Sequence, residues 1–297
     1  MNVAPLQRSR LAEAELVLAD ACAFDRATDV ADEKLFGPGP TSAAQAFGAW
    51  AGNDLIGVAA VSARWLRVLA VVPRARKSGA GSALLAACET AARAEGMTKL
   101  SALDQPGNYL APGIDERNDT AIAWLEKRGW QRTGEPRTNI LIDVRGNPRV
   151  SAERWAELVE QSAAKGYEVR RARHDEREAL CAAIATEFGG AWPFEVERAL
   201  GHEPAGVHVA LRDGTYCAFA AHDGNNRGLG WFGPTGTWPA HRGNQLGEAL
   251  LMACLLDVAE EHSQCEVAWI GPRPFYEKVA GIAGERRFIA MVKDLAQ

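Results

Sequence analysis

The stretch Val71-Val72-Pro73-Arg74-Ala75-Arg76-Lys77-Ser78-Gly79-Ala80-Gly81-Ser82-Ala83-Leu84-Leu85-Ala86-Ala87-Cys88 closes an apolar run, turns through two glycines and enters a helical pattern. Pro73, Arg76, Gly81, Ala83, Leu84, Leu85, Ala87 and Cys88 then recur, without a gap, as Pro239, Arg242, Gly247, Ala249, Leu250, Leu251, Ala253 and Cys254, at a constant offset of 166 residues. Turn residues and helical apolar positions repeating together mark a duplicated domain. A second match pairs Trp124-Leu125-Glu126-Lys127 with Phe275-Tyr276-Glu277-Lys278, at an offset of 151. The first half therefore holds fifteen extra residues between the two blocks, and the Pro-, Gly-, Asn- and Asp-rich stretch Gln105 to Asp119 is their natural home.

Size and composition agree with two folded domains. The chain has 297 residues, more than the roughly 100 to 200 of one domain, with 47% apolar and 24% charged residues. A net charge of -5 without a lysine-rich tract argues against nucleic acid as a partner and suits a neutral or cationic substrate. Six cysteines form no C-x-x-C pair, and the six histidines show no ligand spacing, so free buried thiols and no metal site are expected. An acidic N-terminal segment and the lack of a long apolar run point to a cytoplasmic protein away from the membrane.

The periodicities give the same element order twice. In the first half they predict a strand near Asn2 to Leu6, a helix over Arg10 to Cys22, and a hairpin of Ala44 to Trp50 with Leu55 to Val61. A third strand, Trp65 to Val72, leads through the turn into a helix over Gly81 to Glu95, followed by a strand at Leu100 to Leu103 and a helix at Thr120 to Arg128. Thr138 to Val144 reads as the closing strand of this domain, and Ser151 to Lys165 as a Ser-capped linking helix. The second half repeats the pattern from Tyr167 and ends with a strand at Phe288 to Lys293. The expected boundaries are a domain at 1–147, a helical linker at 148–166 and a domain at 167–297.

Arg76-Lys77-Ser78-Gly79-Ala80-Gly81 resembles the Q/R-x-x-G-x-G/A pyrophosphate loop of the GCN5-related N-acetyltransferases, with the apolar strand before it and the Ala-Leu-Leu helix after it. Asn118-x-x-Ala121-Ile122-x-x-Leu125-Glu126-Lys127-x-Gly129-Trp130 is similar to the same family's later helix. The resemblance implies an α/β fold of two tandem modules, each a mostly antiparallel mixed sheet with flanking helices and a central splayed strand pair. It further implies acetyl-CoA as co-substrate and direct acetyl transfer to an amine, here a small molecule such as an amino sugar or polyamine. Such a loop works because free N–H groups at a helix N-terminus donate to phosphate, and glycine lets the backbone approach.

The cofactor candidates in the first module are Val71, Arg76, Lys77, Ser78, Gly79, Ala80, Gly81, Ser82 and Asn118. In the second they are Arg242, Gly243, Asn244, Gln245, Leu246 and Gly247, where Gln245 stands in place of the family's usual glycine. Tyr276 occupies the position at which relatives carry a general-acid tyrosine, and the first module has Leu125 there. Tyr109, in the insertion, is the phenol available to the first module, with Asp104, Asp115 and Glu116 nearby. His208 and His222 are candidate bases, Trp192, Trp231 and Trp238 candidate cleft residues, and Cys88 and Cys254 a conceivable thiol relay better explained by burial. A monomer or homodimer is expected. The competing reading is a non-catalytic acyl-CoA-binding or regulatory protein, for which Leu125 is the argument.

Overall fold

The computed structural model describes residues 1–296. It contains two compact units. The first comprises Met1–Arg137 together with the segment from Arg287 onward, and the second comprises Thr138–Arg286.

The first unit begins with β1 (Asn2–Pro5), α1 (Leu11–Ala21) and α2 (Ala31–Phe36), then β2 (Gln45–Ala51), β3 (Asp54–Ser62) and β4 (Trp65–Val71). A 3-10 turn at Pro73–Ala75 leads into α3 (Ala80–Ala94), then β5 (Lys99–Ala102), β6 (Ile114–Asp115), α4 (Asp119–Glu126) and β7 (Trp130–Arg132). The β2–β3 hairpin turns at Gly52, whose φ of +62° is in the left-handed region that glycine occupies without strain. Residues 55 to 62 of β3 are all buried, because α1 and α3 both pack against this strand. A strand covered in this way reads as a continuous apolar run instead of an alternating one. Strands β1 to β4 are antiparallel neighbours, and β4 runs parallel to β5.

The second unit holds β8 (Arg137–Asp143), α5 (Ala152–Ala163), β9 (Glu168–Arg171), α6 (Arg177–Glu187) and α7 (Trp192–Leu200). Next come β10 (Val207–Arg212), β11 (Thr215–His222), β12 (Trp231–Thr237), α8 (Leu246–Glu261), β13 (Gln264–Val267) and α9 (Arg273–Val279). Its strands lie in the order β9, β10, β11, β12, β13, β8, with β12 and β13 parallel. Helix α8 is buried along most of its length among Phe232, Cys265 and the inner residues of β11.

The closing strands depart from the expected boundaries. Strand β8, expected to finish the first module, pairs antiparallel with β13 of the second, matching Ile140 with Val267 and Ile142 with Cys265. After α9, β14 (Gly284–Ile289) returns the chain to the first unit, where Phe288 pairs with Asp115 and Ile289 with Ile114. Strand β15 (Met291–Asp294) then lies between β5 and β7, pairing Val292 with Ser101 on one side and Gln131 on the other. Each sheet is completed by a strand from the other half of the sequence. A divided sequence misses this because strand partners are chosen by edge hydrogen bonds and burial, and proximity along the chain does not enter.

The insertion is the second difference. Its Pro-Gly composition suggests a surface loop, yet Gln105, Asn108 and the run from Tyr109 to Asp115 are buried. The Asn108 amide donates to Glu33 O at 3.1 Å and Pro38 O at 2.8 Å, and its oxygen accepts from Lys34 Nζ at 2.9 Å. Gln105 accepts from the fully buried Arg67 and donates to Ser62 Oγ at 3.1 Å. Side chains thus replace the water that an irregular backbone ordinarily needs.

Candidate active site

In the first unit the parallel pairing of β4 with β5 stops early. Trp65 pairs with Ser101 and Leu66 with Ala102, Leu103 N donates to Leu66 O at 2.7 Å from a residue with a φ of +66°, and no pairing follows. The stretch Val68 to Val71 has no strand partner on the β5 side, leaving main-chain polar groups facing a cleft. That cleft has a volume of about 880 Å³. One wall is Val68 to Val71, and the opposite wall is α4 with Asn118, Trp124, Lys127 and Arg128.

The glycine turn closes one end. Arg76, Lys77, Gly79, Gly81 and Ser82 all line the cleft. Lys77 and Gly79 adopt φ values of +66° and +94°, which turns the backbone sharply before α3 and exposes the N–H groups of its first turn. A Cβ on Gly81 would lie 3.4 Å from the Trp124 ring, so a glycine there leaves the gap between the two walls open. Ser78 and Ala80 shape the turn without lining the cleft: Ser78 Oγ accepts from Ala80 N at 3.4 Å, and Ala80 is buried. Asn118 lines the cleft from the N-cap of α4 without capping that helix through its own side chain. Four cations, Arg76, Lys77, Lys127 and Arg128, surround the turn. Arg128 stacks over Trp124 at 3.9 Å and donates to Ser82 Oγ at 2.9 Å.

Several lining residues carry no motif. Leu103 and Leu110 are apolar, and Cys22 and Asp25 enter from the segment after α1. Burial and the neighbouring Asp25 push the Cys22 thiol up to about 12, against the opposing pull of Arg76. It stays protonated near neutrality and is no nucleophile. Only tertiary placement brings these residues to β4, so no local pattern could have found them.

The phenols are placed differently from each other. Leu110 lines the cleft, whereas Tyr109, 8% exposed, is not part of its lining. Tyr276 is 5% exposed on α9, edge-on to Phe232 and Phe275, and burial pushes its hydroxyl up to about 12. Of the acidic candidates, Asp104 accepts from Arg137 at 2.7 Å, and Asp115 accepts from Arg117 at 2.8 Å and 2.6 Å. Glu116 faces Arg287 at 3.6 Å.

In the second unit β12 also leaves β13 after two pairs, Trp231 with Glu266 and Phe232 with Val267. Its turn keeps Arg242, whose Nε donates to Thr237 O at 3.3 Å, and Asn244, whose amide donates to His241 O at 3.1 Å. Leu246 begins α8 and is buried. Gln245 takes a φ of +64°, the position that a side chain tolerates poorly. Lys165 Nζ sits 3.5 Å from both Asn244 O and Gln245 Oε1. The three tryptophans do not converge: Trp231 is buried at the start of β12, while Trp192 and Trp238 join Phe188 and Phe219 in an aromatic cluster.

His208 and His222 are drawn into one half-buried cluster. Both donate to Asp257 Oδ2, at 2.7 Å and 3.2 Å, and His222 Nδ1 donates to Asp223 at 3.0 Å. Arg171 donates to both Asp257 oxygens. Two carboxylates hold the His222 imidazolium up to about 9, and its hydrogen bonds outweigh the cost of burial. Burial moves His208 the other way, below its ordinary value. Cys88 and Cys254 are fully buried with raised thiols, which leaves no relay. Among the described residues no cluster of metal-binding side chains occurs, and no helix is long and apolar enough to cross a membrane.

A parallel strand pair that separates, a glycine turn entering a helix and a cationic cleft meet in the first unit. Residues 18–130 match the family model for the acetyltransferase (GNAT) family. Solved structures share the fold of the whole chain. The GCN5-related glucosamine N-acetyltransferase region of a fungal multi-domain GH3 β-N-acetylglucosaminidase aligns with a TM-score of 0.77 at 16% identity, over 98% of this chain and 38% of that one. A tandem GNAT protein from the clavulanic acid biosynthesis pathway aligns with a TM-score of 0.67 at 18% identity, over 100% of this chain and 99% of that one. A GCN5-related N-acetyltransferase from Sphaerobacter thermophilus gives 0.65 at 14% identity, over 99% and 95%. No curated protein sequence matches. Residues 18–130 thus carry the match to the acetyltransferase (GNAT) family, and the whole chain shares its two-unit fold with a tandem GNAT protein.

Proposed function

We propose that the first unit binds acetyl-CoA and transfers its acetyl group directly to an amine of a small molecule. The observation that carries this reading is the cleft of about 880 Å³, which joins the unpaired edge of β4 to the Arg76–Gly81 turn and its four cations. Pyrophosphate suits the turn, because first-turn N–H groups and the cations both favour concentrated negative charge. The thioester then lies along Val68 to Val71, where main-chain N–H groups can polarise its carbonyl.

A neutral amine attacks the thioester carbon, forming a C–N bond, and the tetrahedral intermediate expels the thiolate. Sulfur leaves with the electron pair of the C–S bond. With a thiolate pKa of about 8.5, sulfur takes up the proton lost by nitrogen through water. Asp25, at the cleft wall, is a carboxylate that attracts an amine arriving as a cation, which gives one proton to solvent water before it attacks. The glucosamine N-acetyltransferase region among the structural neighbours agrees with an amino-sugar acceptor, alongside polyamines. A cytoplasmic protein acting as monomer or homodimer accords with this role.

One observation favours a second reading, a non-catalytic acyl-CoA-binding protein. Leu125 is buried where the second unit has Tyr276, and Tyr109 does not line the cleft, so the first unit presents no phenol to the thiolate. Release of CoA thiol from acetyl-CoA, followed against a panel of amino sugars and polyamines, separates the two. Turnover with any of these amines supports the transferase; saturable acetyl-CoA binding with no thiol release across the panel supports the binder.

A further inference from the structure

The two glycine turns have the same backbone, and their difference lies elsewhere. At the 166-residue offset, Lys77 (+66°) and Gly79 (+94°) correspond to Gly243 (+80°) and Gln245 (+64°). Both loops have positive φ at the same two positions, and each places a glycine at only one of them. The Arg76 to Val71 bond has its counterpart in Arg242 to Thr237, each at 3.3 Å. Gly81 faces Trp124 as Gly247 faces Phe275. Gln245 therefore does not by itself deform the second loop.

What changes is the next position. Ser82, in the first turn of α3, is exposed in the cleft. Its counterpart Glu248, in the first turn of α8, is 7% exposed. Glu248 accepts from Arg154 of α5 at 2.8 Å and lies 4.0 Å from Lys278 of α9. Lys278 corresponds to Lys127, which in the first unit lines the open cleft. Two further cations are gone, since Lys77 becomes Gly243 and Arg128 becomes Val279.

We infer that Glu248 is the residue that confines the cofactor to the first unit. Its carboxylate sits at the helix end where phosphate oxygens would otherwise be received, and it engages the cations of α5 and α9 that would attract them. A fixed negative charge there repels pyrophosphate, while a serine hydroxyl would donate to it. The assignment rests on the reading of the first unit as the CoA site.

The test is calorimetric titration of the full chain with CoA. Wild type takes up one CoA, Gly79→Trp binds it at least about tenfold more weakly, and Gly79→Trp/Glu248→Ser regains at least about tenfold over Gly79→Trp. No uptake by wild type overturns the first-unit reading. Two CoA per wild-type chain overturn the assignment of Glu248, as does a folded double variant that binds no better than Gly79→Trp. Should the serine variant fail to fold, Glu248→Gln removes the charge while keeping the side chain's shape, and the same outcomes apply.

Discussion

Arg128 joins the two walls of the first cleft, stacking on Trp124 of α4 while donating to Ser82 of α3. Replacing it with alanine removes a cation and the bond across the cleft, so Arg128→Ala should weaken CoA binding about tenfold and flatten its salt dependence, as titrations at low and high salt would read out. His222 is a stability residue of the second unit. Its folded pKa of about 9 lies above the ordinary value, so its contribution is full below about pH 6.5 and is lost as pH rises through 9. Asp223 and Asp257 are held below the ordinary carboxylate range, so theirs is present above about pH 4 and is lost on acidification. His222→Gln should cost about 2–3 kcal/mol near pH 6, with the melting curves of variant and wild type converging above pH 9. A constant gap from pH 6 to pH 10 would show that the imidazolium contributes nothing.

Among the elements, the insertion between β5 and α4 shows how far composition can be trusted. Its location was legible: both repeat offsets are satisfied by extra chain between Leu103 and Asn118. Its burial was not, because Pro, Gly and Asn report turn geometry and say nothing about where hydrogen-bond partners come from. Asn108→Ala should destabilise the first unit by about 2–4 kcal/mol in urea unfolding, since it removes the amide partner of Pro38 O and one acceptor of the Lys34 ammonium in the interior, while Glu33 O keeps its bond from Gly37 N. Pro106→Ala, at an exposed position, should change stability by less than about 0.5 kcal/mol. Helix α5 was legible as an element from its Ser151 cap, which accepts from Arg154 N at 3.1 Å. That it also carries Arg154 to Glu248 was not, because the pair is 94 residues apart.

On the scale of the whole molecule, the strand between β5 and β7 comes from the end of the chain. Ending the protein after Ala290 removes β15 and leaves facing edges of β5 and β7 unpaired. This truncation should lower the stability of the first unit and abolish CoA binding, although it removes no cleft residue; circular dichroism and calorimetry together check it. A fragment of residues 1–147 should fare no better, because it lacks β15 and carries β8 without β13. The duplicated pattern, the glycine turn and the helix it opens were determined by the sequence alone, because each is a local arrangement written in consecutive residues. Tertiary structure decided that the closing strands change places, that Leu125 and Tyr276 lie in different surroundings, and that Glu248 rather than Gln245 separates the two loops. Those outcomes depend on which edges, cations and apolar faces meet between elements distant along the chain, and local spacing does not encode such meetings.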